Sequence, residues 1–311
     1  HRTMSRTLSL GFLAALAASP ALAQTARVQV IHNCADAAAS VVDVWLDNTL
    51  LIDDFAFRTA SPFVDAPAGT QFTVGIAPSN STSAVESIFT QDFTLADGET
   101  YVVVASGIVS ATGYTPLTPF SLEVFDQGQE AAMMGTNTDV LVLHGSTDAP
   151  TVDVYESAVL NATAVNDASY GDFAGYLALP TADYTVQIRT ADNSTIVAAY
   201  SAPLQTLSPN GAAITVLASG FLDPSVNSVG PAFGLWAATA AGGALVELPS
   251  ASIPIARAQV IHNSADAAAA QVDVYLNGGL LLDNFAFRTA TPFVDLQAGV
   301  DLEVAIAPST S

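Results

Sequence analysis

Apolar and polar residues alternate with a period of two in several short stretches of the chain. In Phe72-Thr73-Val74-Gly75-Ile76 and in Tyr184-Thr185-Val186-Gln187-Ile188 the pattern is that of a strand with one face in a core and the other towards water. Tyr101-Val102-Val103-Val104 is instead a continuous, mostly β-branched run, which fits a central strand. Turn residues punctuate these segments at Asp97-Gly98, Pro67-Ala68-Gly69 and Pro209-Asn210-Gly211. Asn277-Gly278, between Val272–Leu276 and Leu280–Leu282, predicts a two-residue hairpin. No long run keeps the 3.6-residue period of an amphipathic helix. The pattern predicts an all-β protein of antiparallel, Ig-like β-sandwiches, with at most a short helical turn at Glu130–Met134.

The segments repeat. Arg27-Val28-Gln29-Val30-Ile31-His32-Asn33 returns as Arg257-Ala258-Gln259-Val260-Ile261-His262-Asn263, and Phe55-Ala56-Phe57-Arg58-Thr59-Ala60 as Phe285-Ala286-Phe287-Arg288-Thr289-Ala290. About two-thirds of the positions aligned without a gap are identical, a sign of internal duplication. A more divergent copy lies between. There Val140-Leu141-Val142-Leu143-His144 leads through Asp148 to Val152-Asp153-Val154-Tyr155, parallel to Val42-Asp43-Val44-Trp45. The predicted organisation is repeat one at 25–125, repeat two at 137–249 and repeat three at 256–311, the last expected to be an incomplete unit. Residues 1–23 read as a secretory signal peptide: Arg6, an apolar run from Leu8 to Ala18, and Ala21-Leu22-Ala23 before an expected cleavage at Gln24. The run is too short for a membrane span, for which about 20 apolar residues are needed. Secretion or display at the cell surface is the expected location.

Composition narrows the partners. The 311 residues contain 29 Asp+Glu against 7 Lys+Arg, for a net charge of −22, and every basic residue is arginine. Such a surface repels phosphate backbones and argues against nucleic acid, while suiting solubility in saline surroundings. A single cysteine, Cys34, rules out a disulfide framework and a multi-cysteine metal site.

His144-Gly145-Ser146-Thr147-Asp148-Ala149-Pro150 followed by Val152-Asp153-Val154-Tyr155 resembles the opening of the bacterial domain-of-unknown-function family 4397. The later Tyr101-Val102-Val103-Val104-Ala105-Ser106-Gly107 strand also fits that family. The resemblance implies tandem secreted or surface β-sandwich modules and carries over no catalytic residues. Repeats one and three depart from it, with Ala38 and Ala268 where a proline is expected.

The candidate chemistry lies in the repeats. His32, His144 and His262 each end an apolar strand, four residues before Asp36, Asp148 and Asp266. A His–Asp pair can serve as a general base or metal ligand, or can lock a loop by hydrogen bonding. One His and one Asp per unit are too few for a closed zinc site. The position that would carry a nucleophile varies as Cys34, Ser146 and Ser264. A structural role is therefore expected, and Cys34 reads as a small, partly buried side chain, although a lone thiol could also cross-link two chains. Asp43, Asp47, Asp53, Asp54 and Asp65 cluster in sequence, but without the close spacing of a Ca²⁺ loop, so weak Ca²⁺ binding at most is expected and no other cofactor. Strand alternation places Asp43 and Asp273 on the solvent face. Arg58 and Arg288 are candidate ion-pair residues, within a unit or across a repeat boundary; repeat two has Gly171 there.

The functional expectation is a non-enzymatic secreted or surface tandem-repeat protein acting as a spacer or adhesion module. The alternative is an extracellular module that binds a glycan or protein through loops at the sandwich ends. No Gly-x-Ser-x-Gly or His-Glu-x-x-His motif supports a hydrolase.

Overall fold

The computed structural model describes residues 24–207 and 210–309; the signal-peptide reading of 1–23 lies outside them. Repeat one comprises β1 (Thr25–His32), β2 (Val41–Leu46), β3 (Thr49–Ala56), β4 (Thr59–Ala60), β5 (Val64–Pro67), β6 (Gln71–Pro78), β7 (Phe89–Thr94), β8 (Thr100–Ser106) and β9 (Ser121–Phe125). Repeat two comprises β10 (Asn137–Leu143), β11 (Val152–Glu156), β12 (Ala162–Ala168), β13 (Phe173–Pro180), β14 (Asp183–Thr190), β15 (Ile196–Pro203), β16 (Ala213–Ser219), β17 (Gly234–Thr239), β18 (Gly243–Ala244) and β19 (Val246–Glu247). The third segment contains β20 (Ile255–Ala258), β21 (Gln271–Leu276), β22 (Gly279–Ala286), β23 (Val294–Gln297) and β24 (Val304–Pro308).

Each of the first two repeats is a pair of sheets around an apolar core. In repeat one, β4-β1-β8-β9 faces β3-β2-β6-β7; in repeat two, β13-β10-β16-β17-β19 faces β12-β11-β14-β15. Most pairings are antiparallel, but β1–β8 and β10–β16 run parallel. The chain between the two members of each parallel pair passes through the opposite sheet, so no tight turn constrains their direction. The hairpin at Asn277-Gly278 forms as its sequence predicts, with φ of 49° and 77°. The expected helical turn at Glu130–Met134 does not form. Ala131 bridges to Ala212, and Glu130 turns back to pair with Arg27 at 2.6 Å.

Repeats one and two are fused face to face. Ile31, Val102 and Val104 on the outer face of repeat one meet Leu141, Leu143 and Leu217 on the outer face of repeat two. All six are at most 1% exposed. Strands β1, β8, β10 and β16 are thus buried on both faces, which explains their continuous apolar runs. Some polar side chains bond across the seam: Gln29 donates to the Ser61 and Thr239 carbonyls, and Asn33 donates to Gly145 O at 2.9 Å. Strand β18 of repeat two adds to β4 of repeat one. The third segment attaches to the β15 edge, where Gln297 exchanges two hydrogen bonds with the Ile196 backbone.

Candidate functional site

The recurring His–Asp loops are built from backbone capping. The β1 strand delivers His32 into the interior at 1% exposure, against Phe55 and Phe57. Its Nε2–H donates to Ala39 O at 2.8 Å and its Nδ1 accepts the Cys34 N–H at 3.3 Å, which fixes a neutral tautomer. Burial, partly offset by the Ala39 carbonyl, lowers the imidazole to about 4. His262 makes the same two contacts, to Ala269 O and Ser264 N. His144 donates through Nε2 to Pro150 O, while its buried Nδ1 has no protein partner.

The aspartates serve separate loops. Asp36 accepts from Ala38 N, Val109 N, Ser110 N, Ser110 Oγ and Tyr114 Oη, between 2.6 and 3.0 Å. Burial raises its pKa, but these donors outweigh that and hold it below the usual carboxylate range. Asp148 ties Leu222 N, Asp223 N and Asn227 Nδ2 in the equivalent place. Asp266 keeps the local bond to Ala268 N. His and Asp are thus brought into one loop and are each bonded to backbone, with no hydrogen bond between them among the described residues. The partners Tyr114 and Asn227 lie about 80 residues away in sequence, and no local signal marks them.

Cys34 is fully buried, its Sγ 3.0 Å from Gly107 O, and burial pushes the thiol up to about 12. An inaccessible protonated thiol cannot cross-link chains, which corrects that expectation. Ser146 sends its hydroxyl to the equivalent Gly220 O at 2.7 Å.

Two arginine expectations also change. Arg58 reaches across the repeat boundary, but to neutral acceptors: Nε to Ser219 Oγ, and Nη2 to the Ser219 and Ala232 carbonyls. It stacks 4.0 Å from the Trp236 ring centroid, and burial lowers it to about 10, so it stays charged at neutral pH. Arg288 is exposed and stacks on Phe287. The ion pairs among the described residues instead use Arg27 and Arg257. What Arg58, Gly171 and Arg288 share is backbone: φ is 60°, 86° and 62°, and each N–H donates to the carbonyl of its repeat's histidine.

Asp43 and Asp273, expected on the solvent face, are 1% and 2% exposed. A β-bulge follows Val42 and Val272 and turns the acid inward. Asp43, Asp153 and Asp273 each accept the N–H of a residue held at positive φ across the bulge: Asp54, Asp167 and Asn284. Asp43 also accepts Ser81 N and Oγ. Carboxylate oxygens of Asp43, Asp53 and Asp54 lie within 4.8 Å of one another, but two of these residues are exposed, and Asp43 is already occupied by protein donors.

Polar residues gather elsewhere in a cavity of about 370 Å³ between repeat two and the third segment. There Arg189 stacks 3.6 Å from the Tyr155 ring centroid and bonds Gln187 and Asn193. No described helix is long and apolar enough to cross a membrane. A search of curated proteins finds no match to the chain. The family model described as "Domain of unknown function (DUF4397)" matches twice, over residues 19–130 and 138–233. The likeness read from the His144–Tyr155 segment therefore extends over most of the chain, which belongs to the DUF4397 family as a tandem of its domains.

Proposed function

We propose that the protein is a secreted or surface-displayed, non-enzymatic module whose fused repeats act as a rigid spacer or adhesion unit. One observation carries this reading: the recurring His side chains are bonded to the backbone of their own loops, and Asp36 and Asp148 tie that loop to the backbone of a second one. A residue committed to holding a loop is not available to activate a substrate. The fused apolar seam supports the rigid element of the reading, because separating the repeats would expose Ile31, Val104, Leu141 and Leu217. Assay of the full chain against ester, glycoside, peptide and phosphoester substrates tests it. No turnover above background is expected, and turnover lost on His144→Ala or Asp148→Asn would overturn it.

A second reading, extracellular glycan binding, is favoured by the polar cavity at the Tyr155–Asn161 loop, where an aromatic ring and several donors lie together. Saturable glycan-array binding lost on Tyr155→Ala would select this reading.

A further inference from the structure

The two fused sandwiches are not filled alike. Opposite Ile76 and Phe72 of β6, strand β7 supplies Phe89 and Phe93; opposite Ile188 and Tyr184 of β14, strand β15 supplies Ala198 and Ala202. Opposite Val42 of β2 stands Phe55, and opposite Val152 of β11 stands Ala168. Three phenylalanines that fill repeat one thus become three alanines in repeat two. All three alanines line one cavity of about 190 Å³ between its sheets.

The rest of the wall is mostly aliphatic, including Val140, Val154, Val186, Leu177 and Val216, with Tyr184 and Phe233 as its aromatic residues. Natural interiors are close-packed, so a void of this size in a folded core is unusual. Apolar cavities of about 150 Å³ stay dry and take up guests the size of benzene. The lining runs from His144, Pro150 and Leu222 at one end of β11 to Glu156 and Leu204 at the other. Five residues of strand span roughly 13 Å, so the space is long rather than round. Leu222 at the His144 end is 45% exposed, and Leu160 at the Glu156 end is 42% exposed, so exposed side chains border the cavity at both ends.

Polar groups mark the two ends differently. Glu156 stands where repeat one has Leu46, but its carboxylate is occupied by Ala158 N, Val159 N, Leu160 N and Thr185 N. His144 is the one lining residue, among those described, with a buried side-chain polar atom lacking a partner. With Nε2–H donated to Pro150 O, the Nδ1 of a neutral ring is an acceptor. We propose that the interior of repeat two binds a short, uncharged, unbranched alkyl chain, with a hydroxyl head donating to His144, the lining residue whose buried ring nitrogen lacks a protein partner.

The probe is n-octanol, added to the full chain. Bound octanol should raise the Tm saturably, against the usual denaturing action of alcohols, and give nuclear Overhauser contacts to the methyls of Val154, Val186 and Val216. Octanoate should bind at least about 10-fold more weakly, because its charge would be desolvated without a donor. Ala198→Phe and, separately, Ala202→Phe restore the repeat-one residues and should abolish the Tm rise. A rise that survives in both variants, or methyl contacts absent from the wild type, would overturn the proposal. Should overpacking unfold both variants, the wild-type methyl contacts decide alone.

Discussion

The guanidinium of Arg58 in repeat one sits 4.0 Å from the ring centroid of Trp236 in repeat two. It donates to Ser219 and Ala232 of the same repeat, so one side chain spans the seam by four contacts. Arg288 occupies the same place in the third segment without such partners and is exposed. Arg58→Ala should cost about 2–3 kcal/mol, the loss of charge-assisted bonds and a desolvated cation–π contact. Arg288→Ala should stay within about 0.5 kcal/mol. Urea denaturation of the two variants makes the comparison, and equal losses would detach Arg58 from the seam.

Stability should fall with acid in a defined window. His32 is neutral when folded, with its pKa lowered from 6.5 to about 4. Between those values the unfolded chain binds the proton and the folded chain does not, so stability is full above 6.5 and is lost as pH falls towards 4. The loss from this group is about 3 kcal/mol. Asp36, also lowered, acts in the same direction below the ordinary carboxylate value. Denaturation midpoints measured from pH 7.5 to pH 3.5 test this, and His32→Gln should flatten the upper part of the slope.

The bulge acids make a prediction that a solvent-facing residue would not. Asp43→Ala leaves the Asp54 N–H and the Ser81 donors without their acceptor, at a cost of about 2 kcal/mol. Asp153→Ala and Asp273→Ala should destabilise too, since each holds the same bulge N–H. Asp47, which is exposed, should be more tolerant of change even though it bonds Thr73 N. Thermal melts of the four variants rank them.

Cys34 should be silent to thiol reagents in the folded protein. Its pKa of about 12 and complete burial leave neither thiolate nor access. A maleimide should label it only at the rate of unfolding. Cys34→Ser should be well tolerated, because Ser146 makes the matching bond to Gly220 O in repeat two.

Much of this was legible in the sequence, and the rest was hidden for physical reasons. The period-two segments 72–76 and 184–188 lie in β6 and β14, and Asn277-Gly278 makes its hairpin, because these are local signals. The seam was written in the same letters as the core. Tyr101–Val104 has no polar face because its strand is covered on both sides, but an apolar run does not say what covers the second side. Asp43 defeated alternation because a bulge shifts the period by one residue. The cavity depends on the registers of β7 on β6 and of β15 on β14, which become visible only once Phe93 and Ala202 are seen opposite Phe72 and Tyr184. Arg58 stands out in the sequence as scarce charge, but nothing local indicates that its acceptors are a hydroxyl and carbonyls of another repeat.

The fused seam is tested most directly by hydrogen exchange on the full chain, followed strand by strand. Amides of β1 and β8 in repeat one and of β10 and β16 in repeat two should exchange with a common opening free energy and a common response to denaturant, as one cooperative unit. Two separate sets, with β1 and β8 opening while β10 and β16 stay protected, would contradict a rigid pair and leave independent domains on a linker.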